Sequence, residues 1–395
     1  MIYLLVETLR TSWGWHIPAV LSYTSTRMLL AAITALLLSI FLGPSFIRRL
    51  YQLKIGQTIR TDECPPLGEL HAKKKDTPTM GGVLILFSML LSMLLWMDLQ
   101  SPFTLLLFIA TVGFGFIGGR DDYLKVSKKN TKGLSGKKKL LGQLLISGIV
   151  ALYLYFPPAA EWIHFGNWFQ PPAAREGYDL FTLHEYAARL FIPFLKEPIT
   201  IFHGIFFVFA ALFVMFVITG SSNAANLTDG LDGLLAGCAI MTATAFAIFA
   251  FVSNNVDLAS YLNILYIEKS GEIAIYMAAL AGGCLGFLWY NAHPAQVFMG
   301  DIGSLAIGGI IGVTAVLLRR ELLLAIVGGV FVAEALSVIL QVGSYKLRNK
   351  KRIFLIAPLH HHFEYKGWHE AKVVVRFWII GLLLMLVGIA SLKFQ

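Results

Sequence analysis

Ten apolar stretches recur along this chain, at 27–47, 79–97, 102–119, 140–156, 201–219, 234–253, 272–290, 303–318, 322–345 and 373–392. Each is near the ~20 residues that a helix rising 1.5 Å per residue needs to cross a hydrocarbon core. Hydrocarbon offers the backbone no water, so a spanning segment must satisfy its own N–H and C=O groups, which a helix does. Hydrophobic residues make up 57% of the chain and charged ones 14%, with a mean hydropathy of +0.70, which excludes a soluble domain. The expected fold is therefore an all-α, polytopic integral membrane protein with ten transmembrane helices in one domain over 1–395. Gly43-Pro44 should interrupt the first of them.

The connections divide by charge. Loops 48–78, 120–139, 220–233, 291–302 and 346–372 (extended to Arg376) carry 7, 8, 0, 0 and 8 of the 32 lysines and arginines. The remaining 9 lie on the other side, so the positive-inside rule puts the first set in the cytoplasm and both termini outside, periplasmic in a bacterium. Residues 1–26 lack the basic start and small-residue cleavage site of a signal peptide and read as an interfacial segment anchored by Trp13 and Trp15. The external loop 157–200, rich in aromatics and proline, reads as a partly ordered cap on the membrane face. Three cysteines, Cys64, Cys238 and Cys284, make no disulfide framework. The net charge of +9 follows from topology; no basic stretch is interleaved with aromatics, so nucleic acid is not an expected partner.

Against that apolar background the aspartates stand out. Asp121-Asp122, Asp229 with Asp232, and Asp301 all fall at the ends of spans on the inferred cytoplasmic side, although sidedness was read from lysines and arginines alone. A charged group at membrane depth costs roughly 2.5–3.5 kcal/mol on insertion scales, so such clusters usually mark a site. Several carboxylates beside polyphosphate chemistry suit a divalent cation, Mg²⁺ first.

Each motif has a bland reading beside the chemical one. In GFGFIGGRDDYLKV (113–126), Gly118-Gly119 permits a turn or a close approach, and the adjacent carboxylates favour a cation; a solvated helix end is as good an explanation of this motif alone. In GSSNAANLTDGLDGLLAG (220–237), Asn223, Asn226, Thr228, Asp229 and Asp232 crowd a loop with no lysine or arginine. Asp229 and Asp232 would share a face if helical. Capping and turn chemistry accounts for one or two of these residues, not five. In WYNAHPAQVFMGDIGS (289–304), Asp301 lies between Gly300 and Gly303, with Asn291 and His293 upstream; a capping aspartate is the competitor.

KKKDTPTMGG (73–82) places three lysines before Thr77-Pro78-Thr79, which is expected to open a helix whose N-terminus suits phosphate. For any single lysine there, or in KKNTKGLSGKKK (128–139), setting topology is the commoner role. APLHHHFEYKGWHE (357–370) has three adjacent histidines, a poor zinc spacing without cysteine nearby; they suit phosphate or carboxylate oxygens better, with an interfacial polar loop as the plain alternative. Glu334 is the exceptional charge within a span. The chain has no P-loop, no dinucleotide fingerprint and no serine elbow. What remains is a metal-dependent reaction of phosphate-bearing substrates at the cytoplasmic face.

Taken in order, TPTMGG, DDYLKV, KGLSGKKKLLGQ, NLTDGLDGL, NAHPAQVFMGDIGS and PLHHHFE resemble the polyprenyl-phosphate N-acetylhexosamine-1-phosphate transferase superfamily, and within it the phospho-N-acetylmuramoyl-pentapeptide transferases. The resemblance runs from about residue 25 to the C-terminus. It implies a homodimer in the bacterial cytoplasmic membrane with a cytoplasmic cleft. It implies Mg²⁺-dependent transfer of phospho-MurNAc-pentapeptide from UDP-MurNAc-pentapeptide to undecaprenyl phosphate, giving lipid I and UMP in peptidoglycan synthesis. By that pattern Asp301 would bind Mg²⁺ and Asp121 would be the base, with Asp122 beside it. Asn223, Asn226, Asp229 and Asp232 would line the nucleotide and metal region, Asn291 and Phe298 the uridine side, and Lys74 and Thr79 the nucleotide. Lys125 and Lys137 would offset phosphate charge, and His360, His361 and His362 would meet the donor. Two features depart from the pattern: Gly119-Arg120 before the aspartate pair, where Arg120 would pair with a carboxylate, and the long 157–200 loop.

Two phosphate groups repel, so joining them needs a cation, lysines and fixed positioning. Asp121 acting as a base or as a covalent nucleophile satisfies that requirement equally well. The rival enzyme is a sister transferase using UDP-GlcNAc. The rival class is a lipid or proton-coupled transporter, which predicts midplane charges and an internal repeat; the sequence shows neither apart from Glu334.

Overall fold

The computed structural model describes residues 1–14, 16, 18–53, 77–127, 133–177 and 179–393. In chain order its helices are α1 (Ile2–Ser12), α2 (Thr24–Gln52), α3 (Gly82–Trp96), α4 (Pro102–Ser127), α5 (Gly136–Tyr155), α6 (Pro157–Ile163), α7 (Leu183–Ala187) and α8 (Phe206–Thr228). They continue with α9 (Leu234–Ser253), α10 (Val256–Tyr261), α11 (Ser270–Asn291), α12 (Gly300–Leu317), α13 (Glu321–Val327), α14 (Gly329–Leu347), α15 (Leu359–Tyr365) and α16 (Glu370–Ala390). Among the described residues nine helices are long and apolar enough to cross a membrane; α3, of 15 residues, is apolar but shorter. Each of the ten expected spans has a helix, so the chain is a polytopic helical membrane protein.

The α12 helix is the centre of the bundle: 83% of its span is buried, against 28% for α2, α8 and α16. Small residues let it in. Its Gly308 and Gly312 lie on Ser221, Ser222 and Ile218 of α8, and its Gly309 lies on the Phe114 ring of α4. Close backbone approach through small side chains is how helices associate where hydrocarbon supplies no hydrophobic drive. Likewise Gly282 and Gly286 of α11 lie against Ala32 and Leu36 of α2.

Several expectations need correction. Gly43-Pro44 does not interrupt the first span: α2 runs through Pro44 to Gln52. Proline frees the carbonyl four residues earlier, and here the Tyr290 hydroxyl donates to Ile40 O at 2.6 Å. The break comes instead at 322–345, where Gly328 separates α13 from α14, which opens at Gly329. Thr77-Pro78-Thr79 does not open a helix. That segment is extended and bonded to the 297–299 loop: Phe298 N–H donates to Pro78 O, Gly81 N–H to Phe298 O and Gly82 N–H to Met299 O, each at 2.8 Å.

The fold is also not strictly all-α. The loop after α5 holds the antiparallel pair β1 (Ala174–Glu176) with β2 (Asp179–Phe181), and β3 (Arg189–Leu190) with β4 (Thr200–Ile201). The strand β5 (Tyr266–Ile267) joins the free edge of β1. This cap is ordered because the bundle grips it. Arg319, fully buried beyond the end of α12, donates to Arg189 O at 2.8 and 3.1 Å and to the Tyr155 hydroxyl at 3.2 Å, and pairs with Glu321. The cap therefore sits at the end of α12 opposite Asp301. Trp13 is exposed beyond α1, and Trp15 lies outside the described residues.

Candidate active site

At the other end of α12 the aspartates converge. Carboxylate oxygens of Asp121, Asp122 and Asp301 lie within 4.8 Å of one another. Glycines make this possible. A Cβ on Gly118 of α4 would collide with the Asp301 carbonyl, and one on Gly82 would collide with Gly303. The α4 helix does not stop at 119 but continues through the aspartates, so Asp121 and Asp122 are presented from a rigid helix. Gly118 thus serves close approach rather than a turn.

Asp122, buried, accepts from the backbone N–H groups of Asp301 (3.1 Å) and Ile302 (3.0 Å). It caps the first turn of α12 from another helix and fixes where Asp301 stands. Asp301 accepts from Asn226 Nδ2 at 3.0 Å, and the same amide reaches Ser304 Oγ at 2.8 Å. Two lysines lie between the carboxylates. Lys125 Nζ is 2.6 Å from Asp121 and 3.0 Å from Asp301; Lys139 Nζ is 2.7 Å from Asp301 and 3.4 Å from Asp121. Leu134 N–H donates to Asp121 Oδ1 at 2.7 Å. Three converging carboxylates with only oxygen donors suit a hard divalent cation such as Mg²⁺, which takes one or two carboxylates and completes its shell with water and phosphate oxygens.

Lys139 is the residue the sequence reading missed. Lys137 is exposed, while Lys139, two positions and therefore about 200° further around α5, faces the cluster. The available signal was Gln143, one turn beyond Lys139 on the same face, which is buried and bonded to Ser222 (3.1 Å) and Asn223 (2.9 Å). Asn223 is thereby spent on clamping α8 to α5. Arg120 is exposed, and the partners of Asp121 and Asp301 are the two lysines instead.

Asp229 and Asp232 do not share a helix face. The α8 helix ends at Thr228, and residues 229–233 form a turn. Burial and the neighbouring Asp301, Asp122 and Asp232 push the Asp229 carboxyl up to about 8, so it belongs to the same electrostatic basin. Asp232 belongs to a second group. Its Oδ2 lies 3.1 Å from His293 Nδ1 and accepts from Ala295 N–H at 3.1 Å, while its own N–H donates to Glu370 Oε1 at 2.9 Å. Asp232, His293 and Glu370 form another set of convergent ligand atoms. Glu370, at the start of α16, was not legible as part of the site.

Asn291 is buried with both ends of its amide used: Oδ1 accepts from Gly233 N–H (3.0 Å) and Nδ2 donates to Val297 O (2.8 Å). It ties together the loops that flank the cleft. Phe298 is half-buried beside it. Thr79 is buried, and its hydroxyl lies beside Gly300, whose φ is +74°. Of the histidines, His360 is fully buried, its Nδ1 3.2 Å from Glu334 Oε2. His361 is partly exposed and 2.8 Å from Glu364, and His362 Nδ1 accepts from Leu355 N–H at 3.1 Å. Lys74 lies outside the described residues.

Comparison with known proteins adds an independent line. The model of glycosyl transferase family 4 matches residues 104–319, which contain Asp121, Asp122, Asp229, Asp232 and Asp301. The phospho-N-acetylmuramoyl-pentapeptide-transferase signature 1 matches 74–86. A protein of Protochlamydia amoebophila (strain UWE25) named phospho-N-acetylmuramoyl-pentapeptide-transferase is 62% identical over 410 aligned residues, covering all of both chains. Proteins of the same name from Desulfotalea psychrophila and Thermodesulfovibrio yellowstonii are 48% and 46% identical, covering 100% and 95% of each chain.

Proposed function

The chain belongs to the phospho-N-acetylmuramoyl-pentapeptide transferase family, and we propose that the Asp121–Asp122–Asp301 cluster is where its transfer takes place. The protein is a membrane transferase that passes phospho-MurNAc-pentapeptide from UDP-MurNAc-pentapeptide to a polyprenyl phosphate in peptidoglycan synthesis. The full-length relatives carry the muramoyl name, which disfavours a GlcNAc-phosphate transferase or a transporter. The finer reading is ten spans in the bacterial cytoplasmic membrane with both termini outside, a cleft open to the cytoplasm, a homodimer, undecaprenyl phosphate as acceptor, and Mg²⁺ as cofactor. Lysine and arginine asymmetry supports the sidedness.

In this reading Asp301 would hold the cation, with Asp121 and Asp122 beside it, and the cation when bound offsets charge on the phosphate oxygens. The remaining work falls to the chain. Asp122 orients Asp301 through the first turn of α12. Lys125 and Lys139 offer two ammonium groups to the meeting phosphates. Asp121 accepts the proton of the lipid phosphate. Its carboxylate is buried beneath two lysines and the Leu134 N–H, which disfavours attack on a pyrophosphate as a covalent nucleophile. Asp229 lines the same basin, and Asp232, Asn291 and Phe298 border the uridine side. His361, partly exposed, faces the donor, with His362 beside it and His360 buried behind.

The convergence of three aspartates from α4 and α12, which 180 residues of sequence separate at their widest, carries this reading. Asp301→Ala tests it. Turnover should vanish while the variant still elutes as folded protein; full turnover in that variant would sink the assignment.

A further inference from the structure

Glu334 is the mid-span charge that the transfer site described above does not use. It lies on α14, fully buried. One of its oxygens, Oε1, accepts the backbone N–H of His360 at 3.2 Å, and the other, Oε2, lies 3.2 Å from His360 Nδ1. The His360 ring is fully buried as well. Its far edge, Nε2, sits directly on Gly230, where any Cβ would collide with it. Gly230 follows Asp229 in the 229–233 turn. The other end of that turn is pinned by Glu370 on Asp232 N–H (2.9 Å), by Asn291 on Gly233 N–H (3.0 Å) and by Trp378 Nε1 on Gly233 O (3.3 Å). At the Asp229 end Gly230 N–H donates to Thr228 O at 2.9 Å, and the imidazole packs against Gly230 from outside the turn.

We propose that Glu334 is a positioning residue: it seats the His360 ring under Gly230 and thereby fixes the Asp229 carboxylate relative to Asp301 and Asp122. The physical reason for a carboxylate here is directional. One oxygen, Oε1, holds the His360 backbone N–H while the charge on Oε2 draws the Nδ1 edge of the ring to 3.2 Å, and together they fix where the ring stands. An apolar side chain would fill the same space but leave the His360 backbone N–H without its acceptor and the ring without its charged neighbour. It would also leave the ring free to turn against the glycine. This accounts for a charge placed at costly depth, and for a glycine at 230 as the cradle for a ring rather than as a hinge. The proposal rests on the reading of Asp229 as part of the transfer site.

The test uses full-length protein in detergent with Glu334→Gln, which keeps an acceptor oxygen for the His360 N–H, and Glu334→Leu, which keeps none. Amide hydrogen exchange is followed without substrates, and UMP release is measured against each substrate in turn. In Glu334→Leu, exchange should rise in 228–234 while that of α12 stays at the wild-type level. The turnover number should fall on the order of 10²-fold, the loss expected for a displacement of about 1 Å, with the KM for the lipid acceptor unchanged. Glu334→Gln should recover most of the turnover. Gly230→Ala reaches the same contact from the other side and should reproduce the local exchange signature, which keeps the test alive if the leucine variant does not fold. Wild-type exchange at 228–234 in both Glu334→Leu and Gly230→Ala overturns the proposal, and so does a uniform rise across the bundle, which would mark a purely stabilising pair. Should the wild-type protein release no UMP from the muramoyl donor, the reaction assignment fails, and the exchange result still judges Glu334.

Discussion

Tyr290→Phe should cost this protein stability, and Pro44→Ala should restore it. Pro44 has no N–H, so the Ile40 carbonyl loses its helical donor inside an apolar bundle. The Tyr290 hydroxyl supplies the missing donor at 2.6 Å while its ring lies on Gly43. Phenylalanine keeps the ring and removes only the donor. A buried carbonyl left unpaired costs about 1–3 kcal/mol, whereas side-chain hydrogen bonds between membrane helices average about 0.6 kcal/mol with a maximum near 1.7. The hydroxyl is buried and short-bonded, so a loss of about 1–2 kcal/mol is expected. In a chain of 395 residues that lowers Tm by about 1–2.5 °C. Alanine at 44 brings back a backbone N–H for Ile40 O, so Pro44→Ala/Tyr290→Phe should recover most of the loss. Thermal unfolding in detergent, followed by size exclusion after heating, reads all four corners of the cycle. If Tyr290→Phe is as stable as wild type, or the double variant is no better than the single, the account of how α2 passes through Pro44 is wrong.

Three further outcomes follow from the site. Lys139→Ala removes an ammonium 2.7 Å from Asp301; kcat/KM in a UMP-release assay should fall about 10²-fold, equivalent to about 2.7 kcal/mol, with the fold intact. Gly300→Ala combines a φ of +74°, strained by about 1–2 kcal/mol for an L side chain, with a Cβ 2.6 Å from Asp122 Oδ2; turnover should be lost beyond what its small drop in Tm explains. Asp229 has its carboxyl raised from 3.8 to about 8, so its stabilising contribution is complete below about pH 4 and disappears as pH rises through about 8. In chelator, Tm should decline across that interval and Asp229→Asn should flatten the decline, as differential scanning fluorimetry would record; an unchanged slope contradicts the raised value.

The spans were legible because hydropathy and length decide them, and the aspartates because charge at membrane depth is costly. What escaped depends on contacts between distant segments. Pro44 looked like a break, since nothing local hints that Tyr290 arrives 246 positions later to take the orphaned carbonyl. Gly328-Gly329 looked like part of one span because its neighbours are uniformly apolar. The run Lys137-Lys138-Lys139 offers three equivalent charges, and only the helical phase of α5 tells Lys139 from Lys137. Thr77–Thr79 carries helix-opening residues yet is held extended by the 297–299 loop. Asp229 and Asp232 have a helical spacing, but the turn at Gly230 and Gly233 sends them to different neighbours, Asp232 to His293 and Glu370. Among the histidines, burial separates His360 from its neighbours, and burial of one residue in a short polar run cannot be read from the run itself.

The most direct measurement follows UMP release by the purified protein with undecaprenyl phosphate, with and without Mg²⁺, offering UDP-MurNAc-pentapeptide and UDP-GlcNAc separately. Metal-dependent release from the muramoyl donor alone, abolished in Asp301→Ala, is the predicted result. Release from UDP-GlcNAc alone, or from the muramoyl donor at full rate in chelator, would contradict the account.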